Sequence, residues 1–366
     1  MLWMEAMQKE VDKLRNALSH LKTPDSSARR RYSYEDKNCP DEDSWLSNTS
    51  SPFQIDADNK LGVCKALRRL EDKTQVFMRR LNCHIRTRRS HTSEVEKMAV
   101  TTARILGLNP DLALAIARGH DIGHAPLGHM GEQFLKKATG KDFRHEVFGV
   151  VVAQKIERSG KGLNLTYQVL EGMLNHSRGK KELETAKDIT PEANVVMVSD
   201  KSYIWSDFND VFERTSLQTE DYPNLAENVA WFGSNQRERS TRHIVEFCKE
   251  SADAGLPQFE KSEAAQRFSQ IKKAMYTVYE KELNYKSRGV RIEEGDLGKV
   301  YNGLSTLLQG RNIDPAVAFA LLSDRELLYL VKKEGKITMG DMQKISLGEL
   351  LLYLVGVKFD DPDLNW

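Results

Sequence analysis

Five of the nine histidines, His91, His120, His124, His129 and His145, fall within a 55-residue window of this 366-residue chain. Chance would place about one or two there. A lone His-Asp pair carries little information, since a chain of this composition yields roughly one by accident. The run HDIGHAPLGHMGE at 120–132 carries more, because three histidines and two acids stand among glycines that let the backbone turn tightly. Such a run can aim imidazoles and carboxylates into one cavity. A mixed set of imidazole nitrogens and carboxylate oxygens suits Mn, Mg, Fe or Zn, with open positions for water and phosphate oxygens. His91, His120 and Asp121 are three candidate ligands. The fourth is expected on a later helix, in EANVVMVSDKSYIWSDFND, where Asp200, Tyr203, Asp207 and Asp210 recur at helical spacing. A solvated helix face would give the same stripe, but Val195, Val196, Tyr203 and Trp205 argue for burial.

The elements that must position these residues read as helices. Apolar side chains recur at helical spacing nearly throughout and β-branched alternation is rare, so an all-α fold is predicted. Ser90 is read as the N-cap of a helix whose apolar face runs Val95, Met98, Ala99, Thr102, Ile105 and Leu106 and which stops at Gly107. Asn109-Pro110 then reads as a cap followed by proline at the first helical position, opening DLALAIARGHD, with His120 and Asp121 at its end. Three regions are expected: an N-terminal helix (4–22) and irregular arm within 1–54, a catalytic core at 55–213, and a helical C-terminal region at 214–366. The arm should cross a surface or a neighbouring subunit. Residues 214–240 read as a polar break, with helices resuming from Thr241.

Composition excludes several classes. Hydrophobic residues are 40%, charged residues 29%, and 54 Lys+Arg against 53 Asp+Glu leave a formal charge of +1. Neither a membrane-spanning protein nor a wholly disordered one fits. No global field draws nucleic acid or anionic lipid, so an anionic ligand needs a local cluster of cations. Cys39, Cys64, Cys83 and Cys248 lack metal-knuckle or redox-pair spacing and read as reduced thiols. The first twenty residues mix acids and bases without an apolar stretch of signal-peptide length, and a cytoplasmic location is expected.

Several ordered motifs together resemble the HD-domain superfamily, and within it the dGTPase-like deoxynucleoside triphosphate triphosphohydrolases. They are KALRRLEDKTQVF (65–77), RTRRSHTSEVE (86–96), HDIGHAPLGHMGE (120–132), FRHE (143–146), LNLTYQVLEGMLNHS (163–177) and the segment around Asp200. The likeness covers roughly Asp56 to Asp210 and fades beyond about 214. It implies His91, His120, Asp121 and Asp200 as ligands of Mn or Mg, with Fe or Zn as alternatives. It implies His124 at the α-phosphate, His129 and Glu132 as a catalytic dyad, and His145 and Arg88 lining the phosphate pocket. Gln75 would read the sugar 3′-OH, and Tyr203 with Asp207 the sugar edge. Counting back from Tyr203 puts the metal position on Ser199, while counting forward from Glu192 puts it on Asp200. A carboxylate is the stronger ligand for a divalent cation, so Asp200 is expected. Ala125, Leu127 and Glu146 depart from the family pattern at tolerable places.

The implied reaction is attack of water on the α-phosphorus of a dNTP, dGTP foremost, releasing a deoxynucleoside and inorganic tripolyphosphate. The resemblance also implies a homo-oligomer, hexamer or tetramer. One alternative is an HD phosphohydrolase of another nucleotide, which Gln75, Tyr203 and Asp207 disfavour. Another, from a different class, is a nucleotide sensor or single-stranded nucleic-acid binder with weakened catalysis.

Overall fold

The computed structural model describes residues 2–41, 44–77, 84–177, 184–214, 217–281 and 292–366, and among them the chain is all-α, with isolated bridges such as Arg30 with Thr166 in place of any sheet. Helix α1, Leu2–Leu14, is shorter than the stretch 4–22 suggested. The chain leaves it so that the amides of Asn16, at φ +62°, and Leu18 can donate to the carbonyls of Ile105 and Leu106, orphaned at the end of a later helix.

That later helix, α2 (Arg88–Leu106), packs along α3 (Pro110–Gly119), and both lie against α7 (Pro191–Lys201). Between them in sequence come α4 (His129–Thr139), α5 (His145–Val151) and α6 (Tyr167–Asn175); α8 (Ile204–Arg214) follows α7. The expected apolar face of α2 is buried at Val95, Met98, Ala99, Thr102 and Leu106, and the helix packs against α3, which buries Leu112, Ala115 and Ile116. Each large aliphatic side chain so buried contributes about 1.5 to 3 kcal/mol.

The polar stretch 214–240 breaks for less long than expected. Helix α9 (Pro223–Phe232) starts with proline at its first turn and buries Leu225, Val229 and Phe232. Helix α10 (Gln236–Ala254) begins where the Asn235 side chain accepts from the Glu238 amide. Short polar stretches that carry their own caps thus read as loops when only hydrophobic spacing is followed. Then come α11 (Glu263–Lys281), α12 (Glu294–Leu308), α13 (Pro315–Leu321) and α14 (Asp324–Val331).

Two long-range polar anchors hold this arrangement. The arm crosses the chain's own core. The Arg30 guanidinium donates to Asp56 Oδ1 at 2.5 Å and to the carbonyls of Asn164 and Pro52, while Asp41 accepts from buried Lys60 at 2.8 Å. At the other end of the chain, buried Asp324 accepts from the Thr74 amide and from the Leu127 amide, both at 2.8 Å. One carboxylate thereby fixes the loop carrying Gln75 and the loop between His124 and His129. Cys39, Cys64 and Cys248 are free thiols, and Cys83 lies outside the described residues. No described helix is long and apolar enough to cross a membrane.

Candidate active site

Thr87, rather than Ser90, caps α2. Thr87 Oγ1 accepts from the Ser90 amide at 3.3 Å and Ser90 Oγ accepts from the Thr87 amide at 2.9 Å, so the serine is the third residue of a reciprocal capping pair. Starting one turn earlier places Arg88 and His91, three apart, on the same buried face. Helix α3 is capped by Asn109 as predicted. Just past its end, His120 Nδ1 donates to the Ala117 carbonyl at 2.6 Å, which leaves the Nε2 lone pair buried and without a partner.

That lone pair faces two carboxylates. His120 Nε2 lies 3.5 Å from Asp121 Oδ1 and 3.7 Å from Asp200 Oδ1, and His91 Nε2 lies 3.1 Å from Asp200 Oδ1 and 3.8 Å from Asp121 Oδ2. Donor atoms of His91, His120 and Asp121 fall within 4.8 Å of one another. The Asp200 oxygen is the one that reaches the histidines; Ser199 Oγ is buried without a hydrogen-bond partner. A buried donor set of imidazole nitrogens and carboxylates, one nitrogen orphaned, fits a divalent cation. Helix α7 ends at Lys201 and α8 begins at Ile204, so Asp200, Tyr203 and Asp207 do not share one straight helical face. The Ser202 hydroxyl donates to the Ser199 carbonyl at 2.6 Å and tightens that end.

Each carboxylate has its own cation. Arg88 Nη1 lies 3.0 Å from Asp121 Oδ2, Lys201 Nζ lies 2.7 Å from Asp200 Oδ2, and His145 Nδ1 lies 2.7 Å from Glu132 Oε1. Burial would raise Asp121 and Asp200, but His120, His124 and Arg88 around the first, and Lys201 and His91 around the second, hold both well below the usual carboxylate range. Burial would likewise depress His145, and the Glu132 carboxylate outweighs it, raising the imidazole to about 9. His124, stacked on His145 with centroids 3.8 Å apart, is driven well below the ordinary histidine value by burial and then by Arg88. Glu132 Oε2 lies 3.1 Å from Nδ1 of His129, whose side chain is 69% exposed and stands at the mouth of the site.

A cavity of about 670 Å³ opens over this cluster. Ten of the twelve sequence-predicted residues line it: Gln75, Arg88, His91, Asp121, His124, His129, His145, Asp200, Tyr203 and Asp207. His120 and Glu132 stand behind that wall, each reaching it through its neighbours. The Gln75 amide oxygen is buried without a partner. Asp210 turns elsewhere and accepts from Arg86 Nε at 2.8 Å; Arg86 also pairs with Asp207 and Glu94.

Sequence reading missed Arg86, Lys201, His176, Tyr276 and Tyr279. Tyr279 donates to Asp207 Oδ2 at 2.6 Å and the Tyr203 and Tyr276 hydroxyls meet at 3.1 Å, so α11 supplies part of the wall from beyond residue 213. Lys201 and His176 lay within quoted motifs, beside Asp200 and in LNHS, and their types were the available signal.

The glycine at 123 is required by a close approach of backbones. A Cβ there would sit 2.2 Å from both the Gly149 nitrogen and the His145 carbonyl oxygen. Gly123→Ala must push α5 and its His145 away, and we expect a loss of about 2 to 3 kcal/mol in stability, read from urea midpoints. An unchanged midpoint would show that the two segments part without cost.

Residues 88–203 match the HD domain family. Over 172 residues the chain is 47% identical to a deoxyguanosinetriphosphate triphosphohydrolase-like protein of Caldanaerobacter subterraneus, covering 47% of this chain and 49% of that protein. It is 39% identical over 227 residues to a like-named protein of Clostridium perfringens, covering 61% and 66%. A third relative of that name, from Clostridium tetani, is 40% identical over 188 residues, covering 51% and 53%. The matches thus span from about half to just under two thirds of these relatives.

Proposed function

Because residues 88–203 of this chain are an HD domain, we propose that the protein is a metal-dependent nucleotide triphosphohydrolase that cleaves a dNTP, dGTP foremost, to a deoxynucleoside and inorganic tripolyphosphate. The observation that carries this reading is the orphaned His120 Nε2 facing Asp121 and Asp200 beneath a cavity whose wall also holds Arg88 and Lys201. His91, His120, Asp121 and Asp200 would hold Mn or Mg, with Fe or Zn as alternatives, and the bound cation would neutralise phosphate oxygens and acidify the attacking water.

The remaining roles belong to side chains. Arg88 and Lys201 are the cations that balance triphosphate charge in a water-poor pocket. His124 stands nearest the α-phosphate. His129, oriented by Glu132, moves the proton at the mouth of the site. Gln75, with its unpartnered amide oxygen, accepts from the sugar 3′-OH, and Tyr203 and Asp207 form the sugar edge. The catalytic segment is 55–213, with α11 closing one wall; a homo-oligomer and a cytoplasmic location belong to the same proposal.

The test is incubation with each dNTP and Mn or Mg, products resolved by anion exchange. Tripolyphosphate is expected; stepwise release of orthophosphate or pyrophosphate would replace this reaction with another phosphohydrolase activity, and tight nucleotide binding without turnover would favour a sensor. Deoxynucleotides should also outcompete ribonucleotides. A 2′-OH pressed on the Tyr203 ring loses water without gaining a partner, at about 1 to 3 kcal/mol, or one to two decades in kcat/KM. Equal turnover of GTP and dGTP would remove this role from Tyr203.

A further inference from the structure

The corner between α13 and α14 meets the site from the far end of the chain. Helix α14 completes its own N-terminus, because Ser323 Oγ accepts from the Glu326 amide at 3.4 Å and Glu326 Oε2 accepts from the Ser323 amide at 2.8 Å. The carboxylate of Asp324, the first residue of that helix, is therefore not needed there. Three successive residues lie along the corner instead. Asp72 Oδ2 accepts from the Ser323 hydroxyl at 2.6 Å, Lys73 Nζ donates to the Ala320 carbonyl at 3.1 Å, and the Thr74 amide and hydroxyl both donate to Asp324 Oδ2. The next residue is Gln75, whose buried amide oxygen has no partner and whose side chain lines the cavity. Asp324 Oδ1 accepts from the Leu127 amide at 2.8 Å. Leu127 stands at φ +61°, a left-handed backbone that leucine rarely adopts, two residues before His129. Lys73 Nζ also donates to the His124 carbonyl, at the other end of that loop.

We propose that Asp324 is a positioning residue that sets the span between Gln75 and the loop from His124 to His129, and thereby the preference for a sugar that carries a 3′-hydroxyl. The inference rests on the proposed roles of Gln75 at the 3′-OH and of His124 at the α-phosphate. A nucleotide meets both at once, so the separation of the two loops decides whether the sugar hydroxyl reaches the Gln75 oxygen while the phosphorus sits over the reacting groups. One carboxylate sets that separation, since Oδ2 takes Thr74 and Oδ1 takes Leu127. An aspartate that only secured α14 would accept from the amides of its own first turn. Asp324 accepts instead from both loops, and one of its bonds holds Leu127 in a strained conformation on the approach to His129.

The test compares dGTP with 2′,3′-dideoxyguanosine triphosphate, which lacks the 3′-hydroxyl, on the full-length protein with Mn. The wild type should prefer dGTP by about 10- to 100-fold in kcat/KM, or in affinity if it binds without turnover. Asp324→Ala should bring the preference to within about threefold, chiefly by weakening dGTP, and Gln75→Ala should do the same. The double variant should fall no further than either single one, because both changes remove the same contact. Leu330→Ala, a cavity in the buried face of α14, is the control for mere destabilisation: it should lower the melting temperature and leave the preference at the wild-type value. A wild-type preference in Asp324→Ala where Gln75→Ala has lost it, or an equal loss in Leu330→Ala, would overturn the proposal and leave the reading of Gln75 standing. An unchanged preference in Gln75→Ala, or a wild type that prefers neither nucleotide, would remove that reading and the proposal with it. Should Asp324→Ala fail to fold, Asp324→Asn decides. It keeps the shape, but either orientation of its amide turns an NH2 toward the donors of one loop, so a loss of preference of about threefold or more is expected and none would overturn the proposal.

Discussion

Asp200→Ala is expected to strip the protein of its divalent cation and to lower nucleotide hydrolysis by about a thousandfold or more, with Asp121→Ala doing the same and Ser199→Ala sparing both. Asp200 Oδ1 sits 3.1 Å from His91 Nε2 and 3.7 Å from His120 Nε2. Replacing it takes away the carboxylate that both imidazoles face, and a serine hydroxyl beside it offers neither the charge nor the contact. The alanine variant also takes away the carboxylate 2.7 Å from the buried Lys201 Nζ. Breaking such a buried pair costs about 3 to 5 kcal/mol, so Asp200→Asn is the companion variant that keeps the shape and loses the charge. Metal content, kcat and thermal unfolding should be measured on all four proteins. Wild-type metal content and turnover in Asp200→Ala would move the fourth ligand elsewhere.

Acid should unfold the protein through histidines that the fold keeps neutral. Burial holds His176 and His243 at about 3 and depresses His120 and His124. A base whose folded pKa is depressed stays neutral when folded and takes up its proton on unfolding near pH 6.5. What these histidines contribute is therefore intact above about 6.5 and falls as pH drops toward 3, by about 1.4 kcal/mol per pH unit for each of them, whereas His145, raised to about 9, loses its contribution as pH rises from 6.5 toward 9. Burial raises Asp207 and Asp324, and these oppose the fall only toward the carboxylate range. His243 lies outside the site, where its Nδ1 accepts from Trp205 Nε1 at 3.0 Å. On its own it should cost about 3 kcal/mol between pH 6.5 and 4.5. His243→Gln, which keeps an acceptor for the indole, should flatten the urea-unfolding slope by one proton over that window. An identical slope in wild type and variant would show that His243 is already charged in the fold.

The parts of the site that were legible in the sequence are those fixed by local rules. The ends of α2 and α3 follow from Gly107 in a left-handed conformation and from Asn109-Pro110, and those ends place His120 and Asp121. The parts that were not legible depend on tertiary contacts. A polar stripe at spacings of three and four reads the same whether its helix is continuous or broken, so the interruption between Lys201 and Ile204 left no trace. Tyr276 and Tyr279 look like ordinary helix tyrosines until α11 is laid against Asp207. Lys201 beside an aspartate looks like a solvated pair, and only its burial shows otherwise. The start of α2 was misplaced by three residues because Thr87 and Ser90 are both good caps and only their mutual hydrogen bonds rank them.

The clamp made by Asp324 bears on the order in which the molecule acquires its site. Its bonds to Thr74 span 250 residues and its bond to Leu127 spans 197. Contacts of such sequence separation form late, because the loop they close must be ordered before they stabilise anything. A chain emerging from the ribosome has made His91, His120, Asp121 and Asp200 by residue 200, yet the two loops beside them lack their common acceptor until residue 324 is free. The histidines are thus synthesised early and their loops locked last, so a nascent chain carries the residues of the site well before it carries its shape.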